Sequence, residues 1–218
     1  DTLVNGNGTV HEYYPDGQLK AIVPVIGGKN SGIQYNYNLA GKIIDSTYHI
    51  MGYLDGMVRE YYPTGELKSI VRYIDGDQHG QYNDYLVDGT KYSDEFYEFG
   101  EQISNTTYTL NNNPLRINSY YNDNMRTLQL LAPDGKTPLI KLYYADNTLF
   151  KISCAQKGGK MMDYENVGTE EQTYKAYYPN GALGGVISYK KGVLNGVRSI
   201  YYPNGQAYET ASFSEGNY

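Results

Sequence analysis

Residues 59–80 read REYYPTGELKSIVRYIDGDQHG, and this stretch contains both turn signals of one hairpin repeat. The phrase Tyr61-Tyr62-Pro63-Thr64-Gly65 comes first, and Asp75-Gly76 follows about half a repeat later. Proline presets φ at the second position of a type I turn, and glycine supplies the left-handed residue that closes a three-residue loop with a bulge. An Asp-Gly pair is typical of a second tight turn. The stretch therefore predicts antiparallel strands joined by a loop and then by a return turn.

The phrase recurs along the chain at intervals of 24 residues. Pro15 and Pro63 lie two intervals apart, Pro179 and Pro203 lie one interval apart, and each follows a tyrosine pair. A degenerate copy lies at residues 37–41. A fixed interval of this kind indicates a repeat array. The second turn signal recurs half an interval later, at Gly27-Gly28, Asp75-Gly76, Lys191-Gly192 and Glu215-Gly216.

The middle of the chain keeps the phrase but loses the interval. Residues 96–100, 120–124 and 143–147 resemble it, with asparagine in place of glycine in two copies. We interpret them as register shifts within one array, because no Pro/Ser-rich linker separates the parts. The sequence predicts a single domain, 1–218, with regular repeats at 5–80 and 169–218 and an irregular middle at 81–168. The irregularity indicates either decayed repeats or a grafted site.

The predicted fold class is all-β: an elongated array of antiparallel β-hairpins in a single meandering, twisted sheet. Helix content is expected to be under about a tenth, well below the usual third. The loop type pairs Tyr61 with Leu67, and paired residues share a face. That face carries apolar or small residues, so it is predicted to be buried. The first tyrosine of each phrase is thus expected to be more buried than the second, as in Tyr61 against Tyr62, Tyr177 against Tyr178 and Tyr201 against Tyr202.

The second tyrosines are predicted to lie on the opposite, wetter face. We call this set the outer tyrosines: Tyr14, Tyr62, Tyr178, Tyr202, Tyr97, Tyr121 and Tyr144. Tyrosine offers a large amphipathic contact area at a low cost in side-chain entropy. The outer tyrosines are therefore predicted to stabilise a thin sheet, to form a binding surface, or to do both.

Composition excludes several classes of protein. The 18 basic and 24 acidic residues give a formal net charge of −6, which argues against a non-specific nucleic-acid binder. No apolar run approaches the roughly 20 residues that span a bilayer. The one cysteine excludes an internal disulfide framework and a multi-cysteine zinc site. The first residue is Asp1 rather than methionine, which we interpret as a sign of an exported chain in the periplasm or at the cell surface.

No side chain points to catalysis. Alternation predicts that Cys154 is a small buried hydrophobe in a strand. Two of the histidines occupy positions where other copies carry unrelated residues, and the third lies in a degenerate copy: His11, His79 and His49. The acids near turns are expected to be solvated, as at Asp75, Asp77, Asp94 and Glu95. The sequence predicts no catalytic residue, no metal ligand and no cofactor.

Two stretches carry a resemblance to a known family. DGMVREYYPTGELKSIVRYIDGDQHG at 55–80 and NGVRSIYYPNGQAYETASFSEG at 195–216 resemble MORN repeats in their bacterial variant form. The resemblance covers about 5–80 and 169–218, and 81–168 only loosely. It implies a β-hairpin array that acts in binding or scaffolding, with no catalytic residues, and some bacterial members are described as antitoxin or immunity components. YD repeats fit less well, because Tyr-Asp pairs followed by Gly-Arg are missing. Choline-binding repeats also fit less well, because their ligand cage uses tryptophan and this chain has none.

Three functions remain open from the sequence. The first is a non-enzymatic repeat protein that presents a tyrosine-rich surface to a protein partner, with an immunity or antitoxin role as its specific form. The second is a secreted or cell-surface glycan-binding protein that uses the outer tyrosines. The third is a hydrolase with its site in 81–168. Neither a nucleic acid nor a membrane span is predicted.

Overall fold

A computed structural model describes residues 3–122, 124–165, 167 and 170–216, and every regular element in this part is a strand. Asp1, on which the prediction of export rests, and Asp123, within the phrase at 120–124, lie outside the described residues. The strands are β1 Gly8–Tyr13, β2 Leu19–Ile26, β3 Lys29–Asn30, β4 Gly32–Tyr37, β5 Ile43–Ile50, β6 Tyr53–Tyr61, β7 Leu67–Ile74, β8 Asp77–Gln78, β9 Gly80–Tyr85, β10 Lys91–Glu98, β11 Glu101–Tyr108, β12 Pro114–Asn122, β13 Met125–Leu131, β14 Pro138–Ala145, β15 Thr148–Ala155, β16 Met161–Glu165, β17 Gln172–Tyr177, β18 Leu183–Lys190, β19 Val193–Tyr201 and β20 Ala207–Phe213.

The strands follow one another in space almost as they do in the chain. Sixteen form one sheet, in which β3 pairs with β2 and β8 with β7 beside the main order β1-β2-β4-β5-β6-β7-β9-β10-β11-β12-β13-β14-β15-β16. The other four form a second sheet in the order β17-β18-β19-β20. The pairs are antiparallel, which confirms the predicted fold class. The second sheet is an addition to the single sheet that the sequence predicts.

The proline-glycine phrase forms the predicted bulged loop. In residues 62–66 the amide of Tyr62 donates to the carbonyl of Glu66 at 2.8 Å, and the amide of Gly65 donates back to the carbonyl of Tyr62 at 2.8 Å. The predicted left-handed glycines are confirmed, with φ of 110° at Gly65, 89° at Gly181 and 85° at Gly205. A glycine at this position avoids the steric cost that a side chain carries there.

Loops of this kind follow one another along the whole chain. Their opening residues are Tyr14, Asn38, Tyr62, Leu86, Thr109, Ala132, Gln156, Tyr178 and Tyr202. The interval between successive loops stays close to that of the regular copies even within 81–168, which differs from the register shifts interpreted from the sequence. The phrases at 96–100 and 143–147 instead lie at return turns, where Phe99-Gly100 and Asp146-Asn147 have positive φ. Positive φ at both residues is typical of a two-residue type I′ turn.

A second bulge beside each loop reverses part of the predicted face assignment. Tyr61 pairs with Leu67 as predicted, but Glu60 pairs with Ser69, so Lys68 is an extra residue in β7. Alternation along β6 then places Tyr62 on the face of Ser69, whose side chain is buried. Shifting a strand by one residue moves its side chains to the other face.

The prediction that the first tyrosine is the more buried one is therefore wrong for two phrases. Tyr178 is 6% exposed whereas Tyr177 is half-buried, and Tyr14 is half-buried whereas Tyr13 is 60% exposed. The prediction is confirmed at the last phrase, where Tyr201 is half-buried and Tyr202 is exposed. On the partner strands, Val71 and Ile187 are buried.

The chain divides into two compact units, residues 1–103 and 104–218. This division does not test the predicted single domain, 1–218, which stays a prediction. Among the described residues of the first unit the buried side chains are few and small: Ala21, Val25, Ser46, Ser69, Val71 and Ser93. Larger polar side chains on this unit are half-buried and bond to one another, as in the Asn36 amide that donates to Asp45 Oδ1 at 2.5 Å. Hydrogen bonding removes most of the cost of burying such groups.

The second unit has an apolar core. Strands β13–β15 of the large sheet and the second sheet contribute buried side chains to one cluster, including Ile140, Leu142, Ile152, Ile187 and Ile200. Gly184 lies where these layers approach closely, because an added Cβ would meet Leu139 Cδ2 at 2.6 Å. The core therefore lies between the large sheet and the second sheet, within 104–218.

Candidate functional site

Three outer tyrosines bind the backbone of the following repeat. The hydroxyl of Tyr14 donates to the carbonyl of Tyr37, that of Tyr62 to Tyr85, and that of Tyr178 to Tyr201, each at 2.7 Å. In every case the acceptor lies 23 residues further along, next to the loop of the next hairpin. Burial raises the pKa of Tyr178 to about 12, so its hydroxyl keeps its proton. These tyrosines connect successive repeats.

Removing one such hydroxyl should destabilise the protein. We expect Tyr62→Phe to lower the free energy of unfolding by about 1 kcal/mol, because the carbonyl of Tyr85 loses a half-buried partner. Tyr202→Phe is the matched control, since no hydrogen bond from the Tyr202 hydroxyl to a residue within 3–122, 124–165, 167 or 170–216 is found. Urea unfolding of both variants measures the difference. Equal midpoints for the two variants would contradict a connecting role for Tyr62.

The other outer tyrosines lie in different surroundings. Tyr144 is buried, and its hydroxyl lies 2.9 Å from that of Tyr189. Tyr97 is half-buried and donates to Glu95; burial, followed by this hydrogen bond, raises the pKa of the tyrosine. Tyr121 is 62% exposed and Tyr202 is 38% exposed. The outer tyrosines therefore do not share one exposure, and their role as a binding surface stays a prediction.

An exposed apolar row lies at the return turns of the first unit. We call it the turn edge, and its side chains are from 45% to 74% exposed: Ile26, Ile50, Met51, Tyr53 and Phe99. Backbone hydrogen bonds stack these turns, since Gly52 donates to Asn30 at 2.7 Å and Gly100 to Gln78 at 2.9 Å. Phe99 has φ of 49°, an uncommon conformation for a bulky residue. The Asp75-Gly76 turn lies between the turns of Met51 and Phe99, since Gly76 donates to Leu54 at 2.9 Å. Exposed apolar patches are typical of interaction surfaces.

A shallow apolar hollow of about 260 Å³ lies on the second unit. We call it the aromatic hollow, and it is lined by Tyr121, Met125, Arg126, Thr127, Tyr143, Tyr144 and Phe150. Pairing of β13 with β14 places Arg126 beside Tyr144, and pairing of β14 with β15 brings Tyr143 beside Lys151. The sequence prediction included Tyr121 and Tyr144 but missed Met125, Arg126 and Phe150. The alternation of aromatic and basic residues on three successive strands was the available signal.

A second, more polar cleft of about 480 Å³ lies between β16 and β17. It is lined by Gln156, Tyr164, Gln172, Thr173, Tyr174, Lys175 and Tyr177. The rings of Tyr164 and Tyr174 meet edge to face at 5.2 Å. Aromatic rings beside side-chain amides and hydroxyls offer both stacking and hydrogen bonds to a polar ligand.

The cysteine and two of the histidines that were considered for catalysis have contacts typical of structural residues. Cys154 is fully buried, and burial raises the pKa of its thiol to about 12, which keeps it protonated and unreactive. His49 lies in β5 with Nε2 3.0 Å from Thr47 Oγ1, and burial lowers its pKa. His79 packs its ring 5.0 Å from that of Phe99. Within the part of the chain that the structure describes, no group of three or more His, Cys, Asp or Glu side chains is placed to hold a metal ion.

The acids near turns are occupied rather than clustered. Asp94 pairs with Lys91 at 3.3 Å, and Glu95 accepts from Gln102 at 2.7 Å as well as from Tyr97. Asp75 is the first residue of a return turn, with φ of 51°. These contacts give Asp94 and Glu95 a structural role.

Successive antiparallel hairpins, each with a bulged loop and a return turn, define an all-β hairpin-repeat protein. Three regions, residues 7–26, 54–75 and 194–215, match the MORN repeat variant family, and the chain is a MORN-variant repeat protein. This family is non-catalytic, and its repeats in general bind proteins or membranes. Among the residues that the structure describes there is no helix long and apolar enough to cross a membrane.

Two solved structures are similar to most of this chain. A Photorhabdus luminescens Tc holotoxin pore structure matches over 95% of this chain and 14% of its own, at 12% identity and a TM-score of 0.25. A structure of TcdB2-TccC3 without its hypervariable C-terminal region matches over 99% of this chain and 14% of its own, at 13% identity and a TM-score of 0.22. No curated protein matches the chain. The chain thus spans about one seventh of the length of these solved chains.

Proposed function

We propose that this chain is a non-enzymatic binding protein that presents exposed apolar and aromatic side chains to a protein partner. The turn edge is the observation that carries the proposal, because five large apolar side chains there are exposed along stacked turns. A partner that covers these side chains removes their apolar surface from water, which lowers the free energy of the complex. Among the outer tyrosines, Tyr121 and Tyr202 are the exposed members that a partner can contact.

A comparison of baits tests this function. The purified chain is incubated with a lysate of its source organism, and bound proteins are quantified by mass spectrometry. The test variant carries Met51→Asn, Tyr53→Gln and Phe99→Asn, and asparagine suits the positive φ of Met51 and Phe99. The control variant carries Leu39→Gln, Val87→Gln and Tyr92→Gln, which change side chains of similar exposure near the loops of the same unit.

The expected result is a protein retained by the wild type and by the loop variant but lost from the turn-edge variant. Failure of the wild type to enrich any protein would overturn the proposed function, and equal loss in both variants would remove the turn edge from it. An immunity or antitoxin-type role is the specific form of the proposal, and a secreted toxin as the retained protein would support that form.

Glycan binding is a second candidate, favoured by the cleft between β16 and β17. Its tyrosines and side-chain amides suit a sugar, which needs both an apolar platform and hydrogen bonds. Binding on a glycan array that Tyr177→Ala abolishes, with no protein retained in the lysate experiment, would favour this candidate over the first.

A further inference from the structure

The aromatic hollow has the size of a single large side chain. Its volume of about 260 Å³ lies below the range of roughly 300–1,000 Å³ for pockets that enclose a drug-sized ligand. Three apolar side chains around it are exposed: Tyr121 by 62%, Met125 by 44% and Phe150 by 41%. A partner side chain that entered the hollow would remove these surfaces from water, which is the main source of binding free energy at a hot spot.

Two side chains that line the hollow, Tyr144 and Thr127, are buried. Tyr144 is 9% exposed, and its hydroxyl lies 2.9 Å from that of Tyr189 in the second sheet. The guanidinium carbon of Arg126 lies 3.8 Å from the centre of the Tyr144 ring, which fixes this cation at the rim. Thr127, which also lines the hollow, is 6% exposed. A site whose walls are already ordered loses little side-chain entropy when it binds.

The rim of the hollow is basic although the whole chain is acidic. Lys141 and Lys151 place their ammonium groups 5.3 Å and 5.0 Å from the centre of the Tyr143 ring. Lys151 also pairs with Asp163 at 2.6 Å. Arg126 and Lys141 have no carboxylate partner among the residues that the structure describes. On a chain of formal net charge −6, Arg126 lines the hollow and Lys141 lies against Tyr143, which also lines it, so two cations stand beside its apolar centre.

We infer that the aromatic hollow binds an acidic segment of a partner protein, with one large apolar side chain of that segment in the hollow and its flanking carboxylates on Arg126 and Lys141. The inference rests on the proposed function, because it specifies the chemistry of the protein partner. Charge complementarity decides the flanking residues, and the size and apolar lining of the hollow decide the central one.

A peptide titration on the whole chain tests the inference. The probe is acetyl-Glu-Asp-Phe-Asp-Glu-amide, and two comparison peptides carry alanine in place of phenylalanine or lysine in place of all four acids. The chain has five methionines, and only Met125 lines the hollow. The methyl resonances of ¹³C-methyl-labelled methionine therefore report the location of binding. We expect the probe to shift the Met125 resonance and leave the other four in place, with affinity that falls as salt is raised.

Both comparison peptides should bind at least about tenfold more weakly than the probe, since a hot-spot contact is worth roughly that much. Phe150→Ser should weaken the probe by a similar factor, whereas Phe96→Ser, which changes a phenylalanine of similar exposure in the first unit, should not. Lys141→Gln should weaken the probe and reduce its salt dependence without changing the apolar lining.

Three results would overturn the inference: no shift at Met125, equal binding of the lysine peptide, or a Met125 shift produced by phosphatidylcholine–phosphatidylserine vesicles but not by the probe. The titration uses the isolated chain, so its outcome is separate from that of the lysate experiment. If the probe binds but the lysate experiment retains no protein, the inference about the hollow is supported and the proposed function is overturned. If a protein is retained but the probe does not bind, the proposed function is supported and the inference about the hollow is overturned.

Discussion

Ile152→Ala should lower the free energy of unfolding by about 2–5 kcal/mol, the range for truncating a large side chain in a packed core. Ile152 lies in β15 with no exposed surface, and its neighbours across the ladders are Leu142 and Tyr164. Its cluster includes side chains of the second sheet, so both layers would line the cavity that the truncation leaves. Cores relax only partly around such a cavity, which makes the loss larger than the transfer free energy of the removed atoms.

Ile33→Ala provides the matched control, because the same atoms are removed from a strand residue that is 46% exposed. Truncations of exposed side chains usually change stability by no more than about 0.5 kcal/mol. Chemical unfolding followed by tyrosine fluorescence measures both variants. A loss at Ile152 no greater than that at Ile33 would show that the layers around β15 are not packed as a core.

The part of the fold that could be predicted from the sequence is the part that local turns determine. Turn chemistry is local, so Pro63 and Gly65 identify the loop, and Asp75-Gly76 identifies the return turn, from a few adjacent residues. Strand order then follows, because antiparallel neighbours joined by short loops leave little choice of pairing. The all-β array was predictable for that reason.

The faces were harder to predict, because a single extra residue decides them. Lys68 in β7 is inserted beside the loop, and the same shift recurs between Glu12 and Tyr13 in the first repeat. Alternation counted through such a bulge assigns the following residues to the wrong side. The second tyrosine of the pair is therefore the more buried one at two phrases, although the turn itself was predicted correctly.

The second sheet could not be predicted from the periodicity. Alternation shows which side chains share a face, but it does not show which faces meet another layer. The middle of the chain was interpreted as decayed repeats or a grafted site, yet its β14 and β15 carry the fully buried Ile140 and Ile152. The aromatic hollow was missed for a related reason, since it needs side chains from β13, β14 and β15 together.

Glu209→Gln should destabilise the protein by about 2–3 kcal/mol, the second large effect that we expect. Its carboxylate accepts from Arg198 on the neighbouring strand at 2.9 Å and also from Arg116 on β12 of the large sheet. The side chains of Glu209, Arg198 and Arg116 are 23%, 14% and 27% exposed. Glutamine keeps the shape but removes the charge, which leaves two poorly hydrated guanidinium groups without their shared partner.

The exposed ion pair of Lys20 with Glu12 is the control, and the loss of stability in Glu209→Gln must exceed the loss in Glu12→Gln. These side chains are 51% and 49% exposed and 3.1 Å apart, and such pairs contribute little, so Glu12→Gln should change stability by less than about 1 kcal/mol. A double-mutant cycle between Glu209→Gln and Arg116→Gln isolates the contact that spans 93 residues of sequence. A coupling near zero would mean that the contact between Arg116 and Glu209 adds nothing to stability. A coupling of more than about 1 kcal/mol would make this carboxylate a specific connection between the second sheet and the large one, set by residues that no repeat interval relates.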